Sequence, residues 1–163
     1  MSTSYQTIYD SFFDKLEKDE TFIDYVNLTE NECLNLAKLR SHSYLLESIS
    51  ELTSNCEPDI DFNNYDDELD HINEDLTKNE IKLLVDIMFK IYMSRDIPKL
   101  HVFILNYTPK EMEVFSPANE RTSFINLIKK LEEDVKIAID NYKSRNRITG
   151  ALKGIDYDVY SEY

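Results

Sequence analysis

Residues 81–93 are the most apolar stretch of this chain, and they constrain its fold more than any other feature. Ten of these thirteen residues are apolar. The exceptions, Lys82, Asp86 and Lys90, are spaced four apart and would form one narrow polar stripe on a helix. Thr77 and Glu80 precede the stretch as a capping box. A helix that is apolar nearly all round is buried by neighbours on most sides, so we expect it at the centre of a bundle.

Periodicity and helix-start signals predict the neighbours of this central helix. One apolar face begins at Tyr5, and a capping box at Thr29 and Glu32 opens a second helix that ends near Ser54. Phe22 is expected to pin the connector between them, and Leu36 is expected in the buried face of the second helix. A short apolar element at 100–107 and a third capping box at 108–111 follow. The sequence predicts an all-α bundle of about four to five helices.

The last and longest helix is predicted to start at Ser116-Pro117, where proline occupies the first helical position. Its apolar residues are spaced 4, 3, 4, 3 and 4: Phe124, Ile128, Leu131, Val135, Ala138 and Tyr142. This spacing also suits a coiled coil. However, Ile125, Leu127, Ile137 and Ile139 widen the stripe, which favours a core helix of a bundle.

Composition indicates one helical domain. The chain has 163 residues with only two glycines and four prolines, which is long enough for a core without disulfide bridges. Cys33 and Cys56 are too few for a disulfide framework or a metal set, so we expect both to be reduced and structural. No signal peptide or membrane-spanning run is recognised, which predicts synthesis in a reducing cytoplasm and no membrane association. We assign 1–144 to the bundle and 145–163 to an extended arm.

Charge is concentrated in the first half of the chain. Residues 1–80 carry 20 acidic and 5 basic side chains, whereas residues 81–163 carry 12 and 13, giving the total of −14. Nine carboxylates and no lysine or arginine lie within 57–75. Such a chain is poorly suited to wrapping nucleic acid, because phosphate binding needs clustered cations. The acidic segment 57–75 is therefore a cation site, a surface that repels polyanions, or a face for a basic partner.

The acidic segment matches a metal site poorly. Asp59, Asp61 and Asn63 alternate as in an EF-hand loop, but Asn64 and Asp70 replace the glycine and the bidentate glutamate that such a loop requires. His71 has no second histidine or cysteine within ligand spacing. No nucleophile elbow, phosphate-binding glycine loop, HExxH or CxxC motif is present. We therefore predict a protein that is not an enzyme, with no metal and no cofactor.

The tail has a different character from the bundle. Arg145 and Arg147 follow the last helix, and the only two glycines, Gly150 and Gly154, come after them. Tyr157, Tyr160 and Tyr163 then recur at steps of three in an acidic context. A frayed terminus is one interpretation. The other is a docking arm, because tyrosine offers a large amphipathic contact area.

Three short motifs resemble a family of small acidic neck proteins of tailed bacteriophages. They are DDEL at 66–69, NEDLT at 73–77 followed by Glu80-Ile81 and an apolar helix, and FSPAN at 115–119, which is similar to the family's start of its last long helix. Together with the order of helices, the resemblance covers residues from about 5 to 142.

The resemblance implies a virion protein of the neck, between the capsid portal and the tail. Members form rings, by implication twelve-fold homo-oligomers, that sit beneath the portal protein, contact a further neck or tail protein and extend the channel through which DNA passes without specific binding. Two sets of residues are then candidates for contacts. Subunit or partner contacts would involve Asp66, Asp67, Glu68, Asp70, Lys129, Lys130, Lys136 and Lys143. A portal-docking arm would involve Arg145, Arg147, Tyr157, Tyr160 and Tyr163.

Two other functions fit the same sequence. An acidic helical protein could regulate a host protein by presenting its carboxylates to a basic partner, as a DNA mimic does. A calcium-binding helical bundle is the other. These alternatives predict a monomer or dimer with salt-sensitive binding in the first case, and stabilisation by calcium in the second.

Overall fold

The structure, a computed structural model, describes residues 2–16, 22, 28–95 and 117–154. The helices in these ranges are α1 (Tyr5–Lys15), α2 (Glu30–Asn55), α3 (Lys78–Arg95) and α4 (Pro117–Ser144). Three two-residue strands, β1 (Thr3–Ser4), β2 (Tyr65–Asp66) and β3 (His71–Ile72), form an antiparallel sheet in the order β1-β3-β2. The predicted all-α bundle is confirmed. The element at 100–107 and the capping box at 108–111 lie outside the described residues.

Both capping boxes that fall within the described ranges form as predicted. At the start of α2, the Thr29 amide donates to Glu32 Oε2 at 2.9 Å, and the Glu32 amide donates to Thr29 Oγ1 at 3.4 Å. At the start of α3, the Thr77 amide donates to Glu80 Oε2 at 2.7 Å, and the Glu80 amide donates to Thr77 Oγ1 at 3.3 Å. Each box therefore satisfies amides that have no partner inside the helix.

Helix α3 lies at the centre of the bundle, as its composition predicts. Helices α1, α2 and α4 all pack against it. Its polar stripe also ties it to neighbours, because Asp86 pairs with Lys15 of α1 and Lys90 pairs with Glu51 of α2. The fully buried core side chains of α3 include Leu84, Ile87 and Met88.

Aromatic rings fill the space between α1, α2 and α3. Phe22, which is 1 % exposed, contacts the ring of Tyr92 edge-on at 5.3 Å between centroids and that of Phe12 at 5.7 Å. Edge-to-face pairs at these distances add to the free energy gained by burial alone. The prediction that Phe22 holds its connector to the core is thus confirmed.

Helix α4 turns its predicted seam toward the core of its own chain. Val135 of the seam and Ile139 beside it are buried, and the other seam residues pack on the core while remaining partly exposed. Ile125, Leu127 and Ile137, which we expected to widen this stripe, are instead exposed. The interpretation of α4 as a core helix of the bundle is confirmed.

Two further predictions, for Leu36 and for residues 145–154, differ from the structure. Leu36 is 36 % exposed because it lies one residue, about 100° of helical rotation, from buried Ala37. Residues 145–154, which we assigned to an extended arm, instead fold into a turn after α4. Arg145 and Leu152 form an antiparallel β-bridge, and the Gly150 amide closes the turn by donating to the Asn146 carbonyl at 2.9 Å. Gly150 has a φ of 69°. A left-handed φ suits glycine, which lacks a Cβ.

We expect Leu84→Ala to lower the free energy of unfolding by about 3 kcal/mol, because it opens a cavity at the centre of the bundle. The matched control is Leu39→Ala on α2, where the leucine is 70 % exposed, and its effect should stay within about 0.5 kcal/mol. Urea denaturation followed by circular dichroism measures both. Equal losses in the two variants would contradict the central position of α3.

Candidate interaction surfaces

The acidic segment contains a β-hairpin that the sequence analysis did not predict. Strands β2 and β3 pair in the register Tyr65↔Ile72 and Asp66↔His71, and residues 67–70 form the loop. Asp66 Oδ1 accepts hydrogen bonds from the amides of Glu68 at 2.8 Å and Leu69 at 3.1 Å. Asp70 has a φ of 53°, a conformation that aspartate tolerates better than most residues. Aspartates thus build this turn through their own side chains and backbone.

A polar network holds the hairpin against α1 and α2. The Tyr5 amide donates to the Asp70 carbonyl at 2.9 Å, and the Tyr5 hydroxyl donates to Asp67 Oδ1 at 2.9 Å. His42 Nε2 lies 3.6 Å from the same carboxylate oxygen, while its Nδ1 lies 3.1 Å from the Tyr9 hydroxyl. The loop is therefore fixed to both helices.

Burial keeps the two tyrosines of this network protonated. Desolvation, helped by the hydrogen bond to Asp67 and its charge, raises the pKa of Tyr5 well above its ordinary value. Desolvation, helped by the charges of Asp70 and Asp67, likewise raises the pKa of Tyr9. Tyr5 consequently remains a hydrogen-bond donor to Asp67 throughout the physiological pH range.

The four predicted acidic contact residues differ in how far their carboxylates are exposed and free of hydrogen bonds within the hairpin network. Asp66 is used in the turn, and Asp67 accepts from Tyr5 although half of its side chain is exposed. Glu68 and Asp70 are exposed at the tip, beside Leu69, which is 67 % exposed. Leu39 of α2 lines one groove with Asp67 and Asp70 and is also exposed. We define the acidic surface as residues 67–70 together with Leu39.

The other carboxylates of the segment are engaged separately. Lys153 Nζ donates to Asp59 at 2.7 Å, and Asp61 Oδ1 accepts from the Asn63 amide at 2.9 Å. His71 Nδ1 lies 3.3 Å from the Leu69 carbonyl. Across the described ranges, no three side chains of histidine, cysteine, aspartate or glutamate are grouped so that they could hold a metal ion. The EF-hand-like spacing therefore does not bring its carboxylates together.

The predicted lysines of α4 occupy two rows of exposed positions. Lys129, Lys136 and Lys143 follow one another at seven-residue intervals and share a row with Ile125. Lys130 and Ile137 lie in a neighbouring row, and all six side chains are exposed. Glu132 and Asp140 lie among the lysines of the first row. We define the basic row as Ile125, Lys129, Lys136 and Lys143.

A buried ion pair joins the tail to the start of α3. Arg147 Nε donates to Glu80 Oε1 and its Nη2 to Oε2, both at 2.9 Å, while Nη2 also donates to the Asp75 carbonyl at 2.7 Å. The Tyr142 hydroxyl donates to Glu80 Oε1 at 3.0 Å. Glu80 is 0 % exposed, so this carboxylate is fully enclosed by its partners. Paired donation by an arginine is the strong form of such a contact.

The enclosed site shifts the pKa of each member. Burial alone would raise the pKa of Glu80, but the hydrogen bonds from Arg147, Thr77 and Tyr142 outweigh it and lower the pKa below its ordinary value. The hydrogen bond to Glu80 raises the pKa of Arg147. Burial, together with the Glu80 charge, raises the pKa of Tyr142 well above its ordinary value. The charged pair is therefore the stable state at neutral pH.

The structure thus uses both predicted arm arginines within the chain. Arg147 holds Glu80, and Arg145 Nη1 donates to the Gly150 carbonyl at 3.1 Å. Tyr157, Tyr160 and Tyr163 lie outside the described residues. Sequence reasoning found Glu80 only as a capping residue. A further signal was available, since Glu80 directly precedes the apolar run 81–93, where a buried charge needs a partner.

Comparison with protein-family models, curated proteins and solved structures finds no match. Within the described part of the chain, no helix is both long and apolar enough to cross a membrane.

We expect Tyr5→Phe to loosen the hairpin, because it removes the donor to Asp67. Exchange of the amides of Tyr5 and Leu69 with deuterium should become about fivefold faster, as one hydrogen bond contributes about 1 kcal/mol. Ser11→Ala on the same helix is the control, because its hydroxyl donates to the Thr7 carbonyl within α1 at 3.0 Å, and it should leave this exchange unchanged. Unchanged exchange in Tyr5→Phe would contradict the anchoring role of this hydroxyl.

We expect Glu80→Gln to lower the free energy of unfolding by about 3 kcal/mol at pH 7, because it leaves Arg147 without its buried counter-charge. Because the folded state lowers the pKa of Glu80, the stabilisation by its charge is complete above the unfolded value near 4.5 and is lost as pH falls through the folded value. The stability difference between wild type and variant should therefore shrink below about pH 4.5.

The control for this experiment is Glu32→Gln. Glu32 occupies the same position in the α2 capping box but is exposed and has the hydroxyl and amide of Thr29 as its hydrogen-bond partners. The loss of unfolding free energy in Glu32→Gln at pH 7 should therefore be much smaller than in Glu80→Gln. Similar losses at the two positions in denaturant titrations would show that Arg147 adds little to the capping box.

Proposed function

We propose that this protein is a non-enzymatic component of a tailed-phage virion: a ring-forming adaptor beneath the portal protein that extends the DNA channel. The motifs at 66–69, 73–77 and 115–119 motivate the family. The observation that carries the proposal is a pair of exposed surfaces of different composition on different elements. These are the acidic surface and the basic row of α4.

Each surface combines exposed aliphatic groups with charge. The acidic surface offers Glu68 and Asp70 beside Leu39 and Leu69, whose side chains are 70 % and 67 % exposed. The basic row offers three lysines beside Ile125, which is 47 % exposed. Apolar contact supplies most of the free energy of association, while opposite charges select the partner and its orientation. The acidic residues interspersed among the lysines would fix the register of such a contact.

Contact between two unlike surfaces joins copies head to tail. If the rotations between successive copies add up to one full turn with no shift along the axis, the product is a ring rather than a filament. The net charge of −14 suits a channel wall, because a negatively charged lumen repels the phosphate backbone of passing DNA. The portal protein and a further neck or tail protein would then bind the two faces of the ring.

Charge reversal on either surface should weaken assembly. We expect Glu68→Lys and Lys136→Glu each to shift the protein toward smaller species in analytical ultracentrifugation, because each places like charges opposite one another. The double variant should recover much of the assembly, since attraction returns with reversed polarity. Asp66 and Asp67 are poor choices for this test, because their carboxylates hold the hairpin itself.

Two variants control for net charge alone. Glu57→Lys and Lys78→Glu make the same charge changes at exposed positions outside both surfaces and should leave assembly unchanged. Unchanged assembly in Glu68→Lys would remove the acidic surface from the contact. Electron microscopy of the protein mixed with its portal protein tests the adaptor role directly, and the absence of stacked rings would overturn it.

The same samples distinguish the alternative functions. A monomer at all concentrations that binds a basic host protein in a salt-sensitive manner would indicate a regulatory acidic protein. A large rise in melting temperature with millimolar calcium would indicate the calcium-binding bundle.

A further inference from the structure

A cleft lies between the first half of α3, the end of α4 and the tail turn. Its volume is about 300 Å³. The apolar part is formed by Leu83 and Ala138, and the amides of Asn79 and Asn141 lie around it. The size is at the lower end of ligand pockets and suits one or two large side chains of a peptide.

Cations dominate the rim of this cleft. Lys82, Arg145 and Arg147 line it, and Asp86 is the one acidic residue among its described lining residues. Arg147 is neutralised by Glu80, and Asp86 is neutralised by Lys15. Lys82 and Arg145 therefore set the sign of the remaining charge, and the cleft favours an acidic ligand that carries apolar or aromatic groups.

Residues 155–163 of this chain have that composition. They contain Asp156, Asp158 and Glu162 together with three tyrosines, and they include no lysine or arginine. Tyrosine fits a cleft with an apolar floor and amide edges, because its ring is buried while its hydroxyl reaches a polar partner. We infer that the cleft binds residues 155–163 of a second copy of this protein.

The path of the chain favours a second copy over the same one. The Lys153 amide donates to the Ser144 carbonyl at 2.8 Å, and its side chain binds Asp59, just beyond the end of α2. The contact with Asp59 places Lys153 on the side of α4 that faces the end of α2. Ala138 and Asn141 face the cleft from the other side of α4. The described chain therefore ends on the opposite side of α4 from Ala138 and Asn141, which favours the cleft of a neighbouring copy for residues 155–163.

This contact deepens the proposed ring and rests on it in taking the neighbouring copy as the partner. It is also asymmetric, since a tail from one copy enters the body of the next. A contact of that kind propagates head to tail and is compatible with closure into a ring. The tyrosines would thus tie neighbours within a ring, whereas the sequence analysis assigned them to the portal.

Photo-crosslinking in the full chain tests the inference. Benzoylphenylalanine replaces Tyr160, and equal amounts of ¹⁵N-labelled and unlabelled protein are mixed before irradiation and mass spectrometry. We expect cross-links that join labelled to unlabelled copies and map beside Lys82, Asn141 and Arg145. Cross-links confined to single copies, cross-links elsewhere on the surface, or none at all would each overturn the inference. Portal protein added in excess should not divert the cross-links, and their complete transfer to the portal would also overturn it.

Matched variants identify the charge contribution. Lys82→Glu should lower the inter-copy cross-link yield about fivefold, the effect of one ion pair. Lys78→Glu, one turn earlier on the same helix and outside the cleft, should leave the yield unchanged. Equal effects of the two variants would contradict binding in the cleft.

The outcomes separate this inference from the proposed function. Rings of full mass without inter-copy cross-links would refute only the tail contact. Inter-copy cross-links in a protein that forms neither closed rings nor portal complexes would refute the adaptor and leave the tail contact in place.

Discussion

The buried carboxylate of Glu80 is the contact on which the arrangement of the other elements depends. It caps the first turn of α3, accepts hydrogen bonds from Nε and Nη2 of Arg147, and accepts one from the hydroxyl of Tyr142. One side chain therefore ties the central helix, the end of α4 and the tail turn together. Removal of Glu80 leaves the largely buried Arg147 without its counter-charge, so we expect a larger loss of stability than at any exposed ion pair in the described structure.

The hairpin depends on a second network that is built differently. Its turn is held by aspartate side chains, and its position by Tyr5, whose amide and hydroxyl both donate to the loop. Negative charge is thus concentrated at a rigid tip instead of being spread along a mobile loop. A fixed cluster of charge presents the same face to every partner, which is the requirement for a repeated subunit contact.

The fold could largely be predicted from the sequence because its signals are local. The composition of 81–93, the capping boxes at Thr29 and Thr77 and the seam of α4 each depend on residues within a few turns of one another. The hairpin was not predicted because its strands are only two residues long, and β1 was not predicted to join it because β1 and β3 are some seventy residues apart in the chain. The Glu80–Arg147 pair was missed for the same reason, because no local pattern links positions 67 residues apart. Of the candidate surfaces, the charges were recognised from the sequence. Their separation into turn-forming, anchored and exposed carboxylates required coordinates.

The attachment of the turn at 145–154 to the bundle has a mechanical consequence. A force that pulls on the chain beyond Gly154 first loads Lys153, whose amide donates to the Ser144 carbonyl and whose side chain binds Asp59. When these contacts break, the load reaches Arg147, which holds the first turn of the central helix through two hydrogen bonds to Glu80. Tension on the tail is thereby divided between the ends of α4 and α2 and the most deeply packed element of the bundle.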